Sequence, residues 1–80
     1  MPELEFPLDR DHVELHQLLK LMGLCDSGGA GKALVASGSV RVDGSVEMRK
    51  RCKIRSGQRV DVGDTVIRVV ALPASQGEGP

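Results

Sequence analysis

An 80-residue chain has room for one small domain and excludes a second, and at this length only a modest share of the surface can be buried. Apolar residues make up 40 %, supplied by Leu, Val and Ala with Phe6 as the sole aromatic, and the formal net charge is zero. An acidic start without a basic segment and an apolar run argues against a signal peptide, no stretch is long enough to span a membrane, and two cysteines without a secretion signal point to a reducing cytoplasm.

The zero net charge hides an uneven distribution. Met1 to Leu19 carries one base, Arg10, against five acids, a net of −4, whereas Arg41 to Arg59 carries seven bases against Asp43 and Glu47, a net of +5. That asymmetry points to a polyanionic partner more directly than the total does.

In chain order, Leu4, Phe6 and Leu8 alternate with Glu3, Glu5 and Asp9, which predicts a short strand that Pro2 and Pro7 place at a sheet edge. Asp11 is positioned as a helix cap, with Glu14 at the capping-box spacing, and Leu15, Leu18, Leu19 and Met22 follow at i, i+3, i+4 and i+7. This first helix is expected to stop at Gly23 and turn tightly into a second, from Ser27 to Ser37. Asp26 or Ser27 would cap its start and Gly38 its end in a left-handed conformation.

Val40-Arg41-Val42, Asp43-Gly44 and Val46 predict a hairpin. A two-residue loop sets Val46 opposite Arg41; a three-residue loop sets it opposite Val42 and keeps the valines on one face, and the longer loop is preferred on that ground. The segment that follows packs Arg49, Lys50, Arg51, Lys53 and Arg55 into seven positions, with Cys52 and Ile54 between them. Read as extended chain, it turns Cys52 and Ile54 inward and sets Arg51, Lys53 and Arg55 on an outer face with Arg49, with Lys50 near the end of the ribbon. A helix start aimed at this face would add N–H groups and the positive end of its dipole, a place for phosphate. Ser56-Gly57 is a turn, and Arg59 to Val70 forms a hairpin around Gly63-Asp64 that pairs Val62 with Thr65 and Val60 with Ile67. The tail Pro73 to Pro80 is nearly free of apolar residues and is expected to be disordered.

Catalytic motifs fail on spacing. Gly31-Lys32 lacks both the upstream glycine of a phosphate loop, where Asp26 stands, and the following Ser or Thr, where Ala33 stands. His12 and His16 lie four apart, but Val13 replaces the Glu of a metalloprotease helix, so they read as exposed helix histidines. Cys25 and Cys52 read as small apolar residues, since neither has a ligand set or a base placed beside it. No enzyme activity, metal or cofactor is therefore expected. With one aromatic residue the chain has no platform on which to stack single-stranded bases, which leaves phosphate and shape recognition of folded RNA.

The succession of a helix, a tight turn, Ser27-Gly28-Gly29, Lys32 and then GSVRVDGSVEMRKRCKIRSGQ resembles the S-four RNA-binding domain, from about Phe6 to Ala71. Within that superfamily it is most similar to the small stand-alone YbcJ-like bacterial proteins. The resemblance implies an α+β fold, with two short helices forming the αL motif packed on a small, curved, mostly antiparallel sheet, as a single domain over residues 1–72. It also implies an RNA-binding face made of Ser27, Gly28 and Lys32 from the second helix and Arg49, Lys50, Arg51, Lys53 and Arg55 from the loop and strand. Many members carry bases early in the first helix; here Glu14, His16 and Gln17 stand there and Lys20 comes only late. The expectation is a non-catalytic, monomeric, ribosome-associated protein that binds structured RNA such as ribosomal RNA or tRNA. A protein-interaction adaptor that docks an acidic partner is the alternative.

Overall fold

The structure, a computed structural model, describes residues 3–72; Pro2 and the tail 73–80 lie outside the described residues. Strand β1 spans Glu3–Leu8, a two-residue strand β2 Val13–Glu14, helix α1 Leu15–Leu21 and helix α2 Gly28–Ala36. Strands β3 (Val40–Val42), β4 (Ser45–Val46), β5 (Lys53–Ile54), β6 (Arg59–Val62) and β7 (Thr65–Ala71) follow. The main sheet has the order β1-β7-β6-β3-β4, and β2 and β5 form a separate two-stranded pair. Three of its pairings are antiparallel, while β1 runs parallel to β7 at the edge. The class is α+β, as expected.

Cross-strand register explains the core. Leu4 lies beside Ile67, which faces Val60, which faces Val42, and Phe6 lies beside Val69. Because the strand period is two, these residues share one face, and Glu3, Glu5, Arg68, Arg59 and Asp61 share the other. The apolar face is met by α1, whose Leu15, Leu18 and Leu19 are fully buried. Burial of each leucine contributes about 2 kcal/mol of transfer free energy.

Both helices end as the sequence predicts. Gly23 (φ 80°) closes α1 in a Schellman motif, with Leu24 N–H donating to Leu19 C=O and Gly23 N–H to Lys20 C=O, each at 3.0 Å. Gly38 (φ 81°) follows α2, and its N–H donates to Val35 C=O. Chain neighbours aside, no atom of the described residues lies within 4 Å of where a Cβ on Gly38 would sit, so the penalty for a side chain there is one of backbone conformation. Gly38→Val should therefore cost about 1 kcal/mol or slightly more, read as a lower midpoint in urea with an unchanged m-value.

Three local expectations are corrected. Asp11 caps nothing: α1 begins at Leu15, and Glu14 occupies the N-cap position without a side-chain cap bond. The first N–H groups of α1 go instead to main-chain carbonyls, Leu15 N–H to Cys52 C=O (2.9 Å) and His16 N–H to Lys50 C=O (3.1 Å). Asp43-Gly44 is a two-residue loop, with Arg41 opposite Val46 and Val42 opposite Ser45. Asp43 (φ 52°) and Gly44 (φ 89°) both accept positive φ, which fits the strand twist, and the consequence is an exposed Val46. The basic segment is extended only at Lys53–Ile54; Cys52 N–H bonds Arg49 C=O (3.1 Å), so Arg49 to Cys52 is a turn. The hairpin β6–β7 has the predicted register, with Val62 against Thr65 and Val60 against Ile67.

Candidate nucleic-acid interface

The basic turn is built onto the start of α1. Strand β5 pairs with β2, placing Ile54 opposite Val13 and Lys53 opposite Glu14, and the Lys50 and Cys52 carbonyls receive the α1 N–H donors described above. Ile54 is fully buried beneath the segment and Cys52 is half-buried, so the flanking bases project outward, as alternation predicted for this part. Arg49, Lys50, Arg51, Lys53 and Arg55 are all exposed.

Helix α2 approaches the same region through His16. Ser27 is its N-cap, its Oγ accepting the Ala30 N–H at 3.2 Å, so Ser27 rather than Asp26 performs the capping. Gly28 and Gly31 face α1. A Cβ on Gly31 would stand 2.7 Å from the His16 carbonyl oxygen, and one on Gly28 would stand 4.0 Å from His16 Nδ1. The His16 main chain thus touches the basic turn on one side and α2 on the other. Lys32 is exposed on α2.

His16 was expected to be an exposed partner of His12; it is buried, and His12 precedes the helix. Its Nε2 lies 2.9 Å from Glu14 Oε1, and its Nδ1 is buried without a hydrogen-bond partner among the described residues. The spacing of two histidines carried no signal of this burial; the period of α1 did, since His16 lies three positions before Leu19, at the edge of the apolar stripe.

Electrostatics on this face divide the bases into two groups. Arg49 is gripped by Glu47, Arg51 Nε lies 3.6 Å from Glu14 Oε1, and Arg55 Nη2 lies 3.5 Å from Asp11 Oδ2. The hydrogen bond from His16, with Arg51 assisting, holds the Glu14 carboxyl below its ordinary range, and His12 and then Arg55 do the same for Asp11. Two carboxylates of the acidic N-terminal segment, Glu14 and Asp11, thus reach the basic face. Lys32, Lys50 and Lys53 make no ion pair among the described residues. Burial pushes the Cys52 thiol pKa up, as it does for Cys25, which suits packing residues and not nucleophiles.

Among the described residues no helix is long and apolar enough to cross a membrane. This small α+β domain, with its helix pair and exposed basic turn, is matched over residues 6–70 by the family model for the S4 domain. The chain belongs to this family. It is 53 % identical over 60 residues to YbcJ of Escherichia coli K12, a span covering 75 % of this chain and 86 % of that protein, and equally identical to YbcJ of Shigella flexneri. The solution structure of E. coli YbcJ, described as revealing an αL motif involved in RNA-binding, superposes with a TM-score of 0.64 at 46 % identity and covers 89 % of each chain.

Proposed function

We propose that this protein is a non-catalytic binder of structured RNA, ribosomal RNA or tRNA in class, acting in the cytoplasm as a monomer. Residues 1–72 form the binding domain and 73–80 a tail. The interface comprises Ser27, Gly28 and Lys32 at α2, and Arg49, Lys50, Arg51, Lys53 and Arg55 on the turn and β5. The observation that carries the reading is the basic turn bonded by its own main chain to α1, which fixes the backbone from which several exposed cations project before any ligand arrives. E. coli YbcJ, with its αL motif involved in RNA-binding, supports the same conclusion by kinship.

Cations carried on a fixed backbone match phosphates that are themselves fixed. Sequence-tolerant single-strand binders draw roughly 1 to 3 kcal/mol per base from aromatic stacking, and Phe6, the sole aromatic here, is on β1. A flexible strand would also have to be ordered on binding, at an entropic cost this surface has little to offset. A stem-loop RNA is therefore expected to bind more tightly than poly-uridine of equal length at equal salt, with affinity for both falling steeply as salt is added. Direct titrations decide it: tighter binding to poly-uridine overturns the preference for structure. Binding to neither, together with capture of an acidic protein, favours the adaptor role.

A further inference from the structure

Glu47 is an acid in the middle of a basic surface, and its carboxylate does two things. It accepts the Arg49 backbone N–H through Oε2 (3.0 Å), closing a tight local turn, and it takes the Arg49 guanidinium in a two-point grip, Nε to Oε2 at 2.8 Å and Nη2 to Oε1 at 3.2 Å. The carboxylate is itself mostly shielded, with its side chain 17 % exposed, while the Arg49 side chain is 79 % exposed. Glu47 N–H in turn bonds Val40 C=O on β3 (2.9 Å), so the grip is anchored to the main sheet.

A guanidinium has five N–H donors in a rigid plane. The Glu47 grip uses Nε–H and one Nη2–H, leaving the second Nη2–H and one Nη1–H as the end edge of the guanidinium, with the other Nη1–H directed back toward Cδ. That edge is still a two-point fork for an oxyanion. The pair is close to neutral, so Arg49 adds little long-range attraction; what it offers is an orientation already set. We propose that Glu47 is a positioning residue of the RNA interface, holding Arg49 so that its free edge receives a phosphate of the structured RNA. This inference rests on the RNA-binding reading above. The neighbouring Lys50 and Lys53, which lack ion partners among the described residues, supply the unpaired charge. Arg49 holds the Glu47 carboxyl pKa down at about 2, so the pair persists at any ordinary assay pH.

The proposal inverts the simple electrostatic expectation, in which removing an acid from a basic face strengthens polyanion binding. Glu47→Gln in the full chain should weaken stem-loop binding about three- to tenfold at about 0.15 M salt, since Arg49 must then be ordered at the moment of binding. The same variant should bind poly-uridine as well as the parent or better, and its salt dependence for the stem-loop should steepen because an unpaired cation has been released. In an Arg49→Lys background, where no fork exists, Glu47→Gln should cause no further loss. Tighter stem-loop binding by Glu47→Gln, or an equal loss in both backgrounds, overturns the positioning role. A parent protein that binds neither RNA overturns the function reading itself, which is a distinguishable result.

Discussion

Replacing Arg49, Lys50, Arg51 and Lys53 together by Gln should reduce binding to a stem-loop RNA on the order of 100- to 1000-fold at about 0.15 M salt. Lys50 and Lys53, unpaired among the described residues, each contribute a salt slope of roughly 0.7 to 0.9, worth about 0.6 log unit at that concentration; Arg49 and Arg51, already paired with Glu47 and Glu14, add less to the slope but lose their charge-assisted hydrogen bonds to phosphate, and the four losses together account for the range. The slope of log K against log salt should fall in proportion. The fold should survive, because all four residues are exposed. Only the ion pairs of Arg49 with Glu47 and of Arg51 with Glu14 are lost, and because the arginine of each pair is exposed they contribute little. The turn itself is held by main-chain bonds that Gln leaves in place. A thermal midpoint within a few degrees of the parent, combined with undiminished RNA binding, would place the interface elsewhere on the molecule.

The second large effect is expected at Gly31. Glycine within a helix normally costs about 1 kcal/mol relative to alanine, so on propensity alone Gly31→Ala should stabilise. The 2.7 Å approach of its Cβ to the His16 carbonyl reverses that sign. The obstructing atom is main chain, and His16 cannot yield without pulling its N–H from Lys50 C=O. Overpacking of this kind costs roughly 1 to 3 kcal/mol. Gly31→Val, with a β-branched residue at the same contact, should cost about 3 kcal/mol, a fall in Tm of roughly 12 °C or more for a domain of this size. Gly29→Ala is the control: its Cβ would meet only Ser27 Oγ at 3.8 Å, and it should be neutral or mildly stabilising. A matching gain from Gly31→Ala would show that the helices do not pack through this contact. Because the displaced His16 also anchors the basic turn, Gly31→Val should weaken RNA binding beyond what its loss of stability explains.

Strands and helices with a clean period were readable from the sequence: the leucine pattern of α1, the glycine stops at Gly23 and Gly38, the Ser27 cap and the β6–β7 register all follow from local rules about side-chain direction and backbone freedom. The S4 kinship was readable too, because it lies in the order of these local signals. The register of the Asp43-Gly44 hairpin was decided against the hydrophobic pattern, since the positive φ at both loop residues favours the twist of a two-residue turn and the exposed Val46 is an affordable consequence. Tertiary structure alone decided the rest. Asp11 and Glu14 carry a capping-box spacing, but the β2–β5 pairing extends the chain through Glu14, and carbonyls of Lys50 and Cys52, far along the sequence, satisfy the helix start. Gly31 looked like a fragment of a failed phosphate loop, whereas its lack of a side chain is what lets α2 close on α1. The arginines looked like uniform free charge; Glu47, Glu14 and Asp11 pair them while the lysines on the same face stay unpaired among the described residues. Local periodicity reports which way a side chain points, but not which distant group waits there, and for the basic face that second fact determines which cations have free donors to offer.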